Sequence, residues 1–160
     1  MATEILDLLN VPRELTLRFL AVFSRYEYAL KRAGYVQGDE SKISADWDTF
    51  ARDVSTLDPS LIVSVLDSCA YLRQYPPKKQ VLKDCRLQWV QRKGSVGSAI
   101  GDVLLSVRTV RNNVFHGGKF PEGPVVEPLR DEQLIRECLA VLEILLTLPL
   151  PNQVAEHFKS

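Results

Sequence analysis

The chain has 160 residues and a mass of 18.1 kDa, which predicts one domain with a full hydrophobic core and no need of disulfides or a structural metal. Apolar residues make up 46% and charged residues 25%, which excludes a disordered or collagenous chain. Twenty basic and twenty acidic residues cancel, so any nucleic-acid surface must come from local asymmetry of charge.

No basic region follows Met1, and apolar runs such as Leu139–Leu150 are too short for a bilayer and are broken by Glu143 and Pro149. Cys69, Cys85 and Cys138 are isolated, without C-x-x-C spacing. These features predict a soluble cytoplasmic protein with no membrane segment, no zinc site and reduced thiols serving as buried apolar fillers.

The pattern predicts helix nearly throughout. Leu17, Leu20, Ala21, Phe23, Tyr28 and Leu30 recur at helical spacing between Glu14 and Ala33, with Pro12 in the first turn and Gly34 as the stop. Polar residues 35–44 read as a loop. Asp46 or Ser44 then caps a short helix carrying Trp47, Phe50, Ala51 and Val54. Asp58-Pro59 opens a helix with Leu61, Ile62, Val65, Leu66, Cys69 and Leu72 on one side, broken at Tyr75-Pro76-Pro77.

Residues 80–91, with Val81, Leu82, Leu87 and Val90, read as a short amphipathic helix, and Gly94–Gly97 as a loop. A strong helix is predicted from Ser98 to about Phe115 on Ile100, Val103, Leu104, Val107, Val110 and Val114, ended by Gly117-Gly118. Pro121, Pro124 and Pro128 forbid regular structure in the next segment, where Val125–Glu127 could form a strand. The last strong helix is Asp131–Leu146, on Leu134, Ile135, Leu139, Leu142 and Leu145, followed by a polar tail over 149–160 that could add a final turn. The expectation is an all-α compact bundle of about five to seven helices spanning residues 1–160. Its expected core holds Leu20, Phe23, Leu66, Val103, Leu104, Val107, Leu139 and Leu142.

Charge is segregated along this chain. Residues 73–93 carry Arg73, Lys78, Lys79, Lys83, Arg86, Arg92 and Lys93 against Asp84 alone, a local net charge of +6, with Tyr71, Tyr75 and Trp89 interleaved. Residues 37–58 carry six acids against two bases. A basic surface beside aromatic rings suits a phosphate backbone and unstacked bases, so Lys78, Lys79, Lys83 and Arg86 are candidate RNA contacts. The bland reading is a solvated helix face.

The sharpest signal is Arg108-Thr-Val-Arg111-Asn112-Asn113-Val-Phe-His116-Gly-Gly-Lys119. Arg111 offers a permanent cation and a planar donor fork suited to phosphate. His116 exchanges a proton near neutral pH. Asn112 shares a helical face with Arg108 and His116, whereas Arg111 lies about 140° around an ideal helix from His116. Arg111 must therefore reach across, or the last turn must unwind. Two asparagines near the end of an apolar helix are costly unless they are used.

The segment Arg111–His116 resembles the R-x4–6-H signature of HEPN domains, the higher eukaryote and prokaryote nucleotide-binding family, and "RNNVFHGGK" looks like its ribonuclease-type members. Residues 23–35 ("FSRYEYALKRAGY"), 46–51 ("DWDTFA") and 130–146 ("RDEQLIRECLAVLEILL") are also similar to compact prokaryotic members, so the likeness covers most of the chain. The resemblance implies a helical bundle that dimerises with the two motifs facing each other. It also implies metal-independent RNA cleavage without a cofactor, in a toxin–antitoxin or phage-defence setting.

In that chemistry His116 moves the proton and Arg111 meets charge on the phosphate. Asn112 or Asn113 positions the phosphate or the histidine, with Arg108 and Lys119 in support. An acidic residue of the first helix often supports such a motif. Glu27 is the candidate, pairing with Arg111 or orienting His116, with an exposed salt-bridging glutamate as the bland reading. Tyr26, Trp47 and Trp89 read as packing residues and His157 as solvated. No P-loop, G-x-G-x-x-G, H-E-x-x-H or G-x-S-x-G is present. The alternative is a non-catalytic HEPN-like module that binds a nucleotide or a partner, such as a cognate antitoxin, a nucleotidyltransferase or a sensor protein.

Overall fold

The computed structural model describes residues 11–116 and 128–160. Seven helices lie among them: α1 (Arg13–Arg32), α2 (Trp47–Val54), α3 (Pro59–Asp67), α4 (Ala70–Gln74), α5 (Ala99–Phe115), α6 (Pro128–Leu145) and α7 (Val154–Lys159). Two antiparallel hairpins interrupt them, β1–β2 (Val36–Gly38 and Ile43–Ala45) and β3–β4 (Lys79–Lys83 and Arg86–Val90). The fold is predominantly helical, not all-α.

Helix α1 turns Phe19, Phe23, Tyr26, Ala29 and Leu30 into the core. This stripe is rotated from the predicted one, since Leu17 and Tyr28 face solvent and Leu20 is half-buried. The reason is aromatic packing. Phe23 and Tyr26 both stack on Trp47, at centroid separations of 5.2 and 6.0 Å, and Trp47 also meets Phe50 edge-on. Aromatic pairs of this kind add about 0.5–1.5 kcal/mol beyond their area burial, a gain that the aliphatic stripe of α1 does not have, and this favours the rotation that turns Phe23 and Tyr26 onto Trp47. The buried Tyr26 hydroxyl donates to the Leu142 carbonyl of α6, and burial raises its pKa.

Helix α2 buries the four predicted residues, capped by Asp46, whose carboxylate accepts from the Thr49 amide at 3.0 Å. The predicted helix from residue 58 is two helices, with Asp58 capping α3 and Cys69 standing between α3 and α4. Residues 35–44 are the β1–β2 hairpin rather than a loop. Gly38 adopts φ +127°, and a Cβ there would lie 2.1 Å from the Lys42 carbonyl oxygen, so only glycine fits.

Residues 80–91 belong to the second hairpin and not to a helix. Its turn places Asp84 and Cys85 at φ +51° and +57°, the paired left-handed geometry of a tight hairpin turn. Cys85 is therefore exposed, against expectation, while Cys69 and Cys138 are buried. Burial pushes the Cys69 thiol up to about 11 and raises that of Cys138 as well, so both stay protonated at neutral pH.

The residues from 149 onward are packed rather than a free polar tail. Val154 and Ala155 are buried, Phe158 meets the Tyr26 ring at 5.2 Å, and His157 is half-buried. Pro128 begins α6, whereas Pro121, Pro124 and Val125–Glu127 lie outside the described residues. Of the expected core, Leu20 and Leu66 are half-buried and the other six side chains are buried. No helix among the described residues is long and apolar enough to cross a membrane.

Candidate active site at the end of helix α5

Ser98 starts α5 by accepting from the Gly101 amide at 3.0 Å. The helix remains regular through Phe115, and the His116 amide donates to the Asn112 carbonyl at 2.9 Å. The last turn therefore does not unwind to bring Arg111 to His116. Arg111 and His116 instead meet the same ring. The guanidinium carbon of Arg111 is 5.0 Å from the Phe115 centroid, and the His116 ring lies edge-on to Phe115 at 5.2 Å.

A second ring holds Arg111 from α1, with Phe23 at 5.3 Å. Nη1 of Arg111 donates to the Asn112 side-chain oxygen at 3.0 Å. No carboxylate pairs with Arg111 among the described residues. The guanidinium is thus oriented by aromatic faces and an amide, with donors left for an incoming anion. His116 is exposed at the helix end, and its ring makes no hydrogen bond among the described residues.

The other predicted residues divide. Asn113 turns away from Arg111 and donates to the Lys78 carbonyl at 2.9 Å, which ties the base of the β3–β4 arm to α5. Arg108 pairs with Asp48 at 2.8 Å and so is directed to α2 rather than to the motif. That pair is worth little, because the Asp48 side chain is 80% exposed. Among the described residues Glu27 forms no ion pair with Arg111 and no hydrogen bond to His116. It accepts from the Trp47 indole N–H at 3.3 Å, one helical turn beyond Phe23. Glu27 thus meets the aromatic cluster and not Arg111. Lys119 and Gly117-Gly118 lie outside the described residues.

Lys78, Lys79, Lys83 and Arg86 are all exposed, but on a hairpin arm rather than a helix face. The register puts Lys79, Val81, Lys83, Arg86, Gln88 and Val90 on one face, and Gln80, Leu82, Leu87 and Trp89 on the other. Lys83 and Arg86 stand directly opposite one another. Trp89 is half-buried on this arm, whereas Trp47 is a core residue as expected. Tyr71 and Tyr75 pack together at 4.9 Å, with Tyr75 partly exposed.

Phe23 and Phe115 carry no functional expectation from the sequence. The spacing of Arg111 and Phe115, four apart on one helix, is the signal for the second; only the packing of α1 on α5 supplies the first. A cavity of about 320 Å³ borders Trp47, Ser98, Leu104 and Arg108, without Arg111 or His116. Among the described residues no three His, Cys, Asp or Glu side chains gather as a metal-binding set. Comparison of the chain with family models, curated proteins and solved structures finds no match.

Proposed function

We propose that this chain is an endoribonuclease of the HEPN type, cutting RNA by attack of a ribose 2′-OH on the adjacent phosphate. The observation that carries this reading is that Arg111, with no carboxylate partner among the described residues, and the exposed His116 both contact the Phe115 ring. A cation and a proton-transfer group close together are what the reaction needs.

His116 takes the 2′-OH proton as the 2′-oxygen–phosphorus bond forms. Arg111 meets the negative charge that grows on the phosphoryl oxygens. The phosphorus–5′-oxygen bond breaks, and the leaving oxygen takes a proton, giving a 2′,3′-cyclic phosphate and a 5′-OH end. One imidazole cannot be base and acid in the same step. A homodimer with two motifs near its two-fold axis supplies the second histidine. Lys78 and Lys79, at the end of the arm tied to Asn113, track the RNA backbone on the approach.

The test is end-labelled RNA incubated in EDTA with purified wild-type protein or with His116→Ala. Cleavage to cyclic-phosphate ends by the wild type, lost in the variant, supports the reading. Intact RNA with every partner removed, or an active His116→Ala, transfers the site to the binding-module reading.

A further inference from the structure

A second cavity, of about 190 Å³, is lined by Arg73, Pro76, Arg92, Asp102, Val103 and Ser106. Pockets that take a whole small ligand hold roughly 300–1,000 Å³, so this one fits a single charged group. Two arginines reach it from separate segments. Arg73 comes from α4, and Arg92 lies two residues after β4.

Both arginines are oriented without being satisfied. The Arg92 side chain is 25% exposed, and its guanidinium stands 3.4 Å from the Asp102 carboxylate and 3.5 Å from the Asp102 carbonyl. Arg73 reaches only the Leu66 carbonyl, at 3.4 Å, and has no ion pair among the described residues. A settled N–H···O bond is about 2.9–3.0 Å. The Asp102 carboxylate already accepts from the Ser95 hydroxyl at 2.6 Å and the Val96 amide at 2.8 Å, so it does not saturate Arg92. The larger cavity differs, since its Arg108 and Arg52 are spent on Asp48 at 2.8 Å and the Thr49 hydroxyl at 2.7 Å. Two planar donor forks against one engaged carboxylate suit the oxygens of a phosphate.

The position of the cavity selects which phosphate. Asp102, Ser106 and Asn113 share one face of α5, and Asn113 holds the Lys78 carbonyl two residues beyond Pro76. Ser106 precedes His116 by about 15 Å along the helix axis. The cavity therefore continues a line that runs from His116 past Lys78. A free anion has no use for such a line, whereas a chain of phosphates follows it. We propose that Arg73 and Arg92 clasp one backbone phosphate of bound RNA, away from the reacting linkage, and so fix the register of the chain at His116. This inference rests on the ribonuclease reading.

The test titrates a short single-stranded oligoribonucleotide into His116→Ala, which holds RNA without cutting it. In that background Arg73→Gln and Arg92→Gln are each expected to raise the dissociation constant about tenfold. With both replaced, the log–log salt slope falls by about 0.7, the share of one phosphate of a single strand. A neutral methylphosphonate is then placed at one linkage at a time. One linkage other than the cleaved one is expected to weaken binding about tenfold, with no further effect once both arginines are replaced. Thermal unfolding verifies each fold, and Arg73→Gln, exposed and with one long contact, stands if Arg92→Gln loosens the Asp102 loop. Inorganic phosphate is titrated in parallel.

The proposal is overturned if no linkage behaves in this way, if the glutamine variants bind RNA as tightly as their parent, or if the parent binds no RNA. Loss of inorganic phosphate binding with RNA binding unchanged also overturns it, because the cavity then takes a free phosphate. RNA that is cut by the wild type but is indifferent to Arg73 and Arg92 defeats this proposal alone. RNA that stays uncut but shows the linkage effect defeats the nuclease reading alone.

Discussion

The Arg111 guanidinium carbon lies 5.3 Å from the centre of the Phe23 ring, and this contact joins the end of α5 to the middle of α1. Phe23 stacks in turn on Trp47, whose indole donates to Glu27. The cation of the candidate site is therefore positioned by the same aromatic cluster that rotates α1 into the core.

Phe115 is exposed and shares its ring between Arg111 and His116. Phe115→Leu keeps apolar bulk but removes the aromatic face. Cleavage is expected to fall about three- to tenfold, consistent with a partly exposed cation–π interaction, with the melting temperature unchanged. Single-turnover kinetics beside thermal unfolding checks both halves. Arg111→Ala is expected to cost on the order of a hundred- to a thousand-fold, and Asn112→Ala less, since a neutral hydrogen bond is worth about 1 kcal/mol.

Asn113 links α5 to the arm through the Lys78 carbonyl. Asn113→Ala frees the arm without touching Arg111 or His116. RNA affinity is expected to drop, while the rate at saturating RNA changes little. An equal fall in both quantities would place Asn113 in the chemical step instead.

Lys78 and Lys79 lie exposed at the base of the arm. Replacing both by alanine is expected to make RNA binding less sensitive to salt. The log–log slope falls by about 0.7 for each phosphate of a single strand that is no longer neutralised. Fluorescence titrations over a salt series measure the slope. The effect is expected to be similar across RNA sequences, because phosphates carry no sequence information.

Burial pushes the Asp102 carboxyl up, but the Ser95 hydroxyl, the Val96 amide and Arg92 outweigh it and leave the pKa below the usual range. A depressed carboxylate stabilises the fold above its unfolded pKa of about 4, and that contribution is lost as pH falls through the folded value. Asp102→Asn is thus expected to cost about 1–2 kcal/mol at neutral pH, with the gap closing on acidification below about pH 4. Denaturant titrations at several pH values read this directly. At neutral pH Tyr26→Phe, which removes the buried hydrogen bond to the Leu142 carbonyl, is expected to cost about 1–2 kcal/mol.

Where local chemistry decides the structure, the residues alone were enough. Asp46, Asp58 and Ser98 cap α2, α3 and α5 because each side chain reaches an amide two or three residues on. Trp47, Phe50, Ala51 and Val54 are buried as their spacing requires. The sequence also located the segregation of charge and the Arg111–His116 cluster, since both are properties of neighbours along the chain. The arm was not legible. Val81, Leu82, Leu87 and Val90 do not alternate with the period of two that marks a strand, and Asp84-Cys85 is not a turn pair that declares a hairpin. Only tertiary structure decided which face of α1 turns inward, because Phe23 and Tyr26 gain a partner in Trp47 that no local rule supplies. It likewise assigned Glu27 to Trp47, Arg108 to Asp48 and Asn113 to Lys78, since each partner lies at least 20 residues away and becomes a neighbour only when the helices pack.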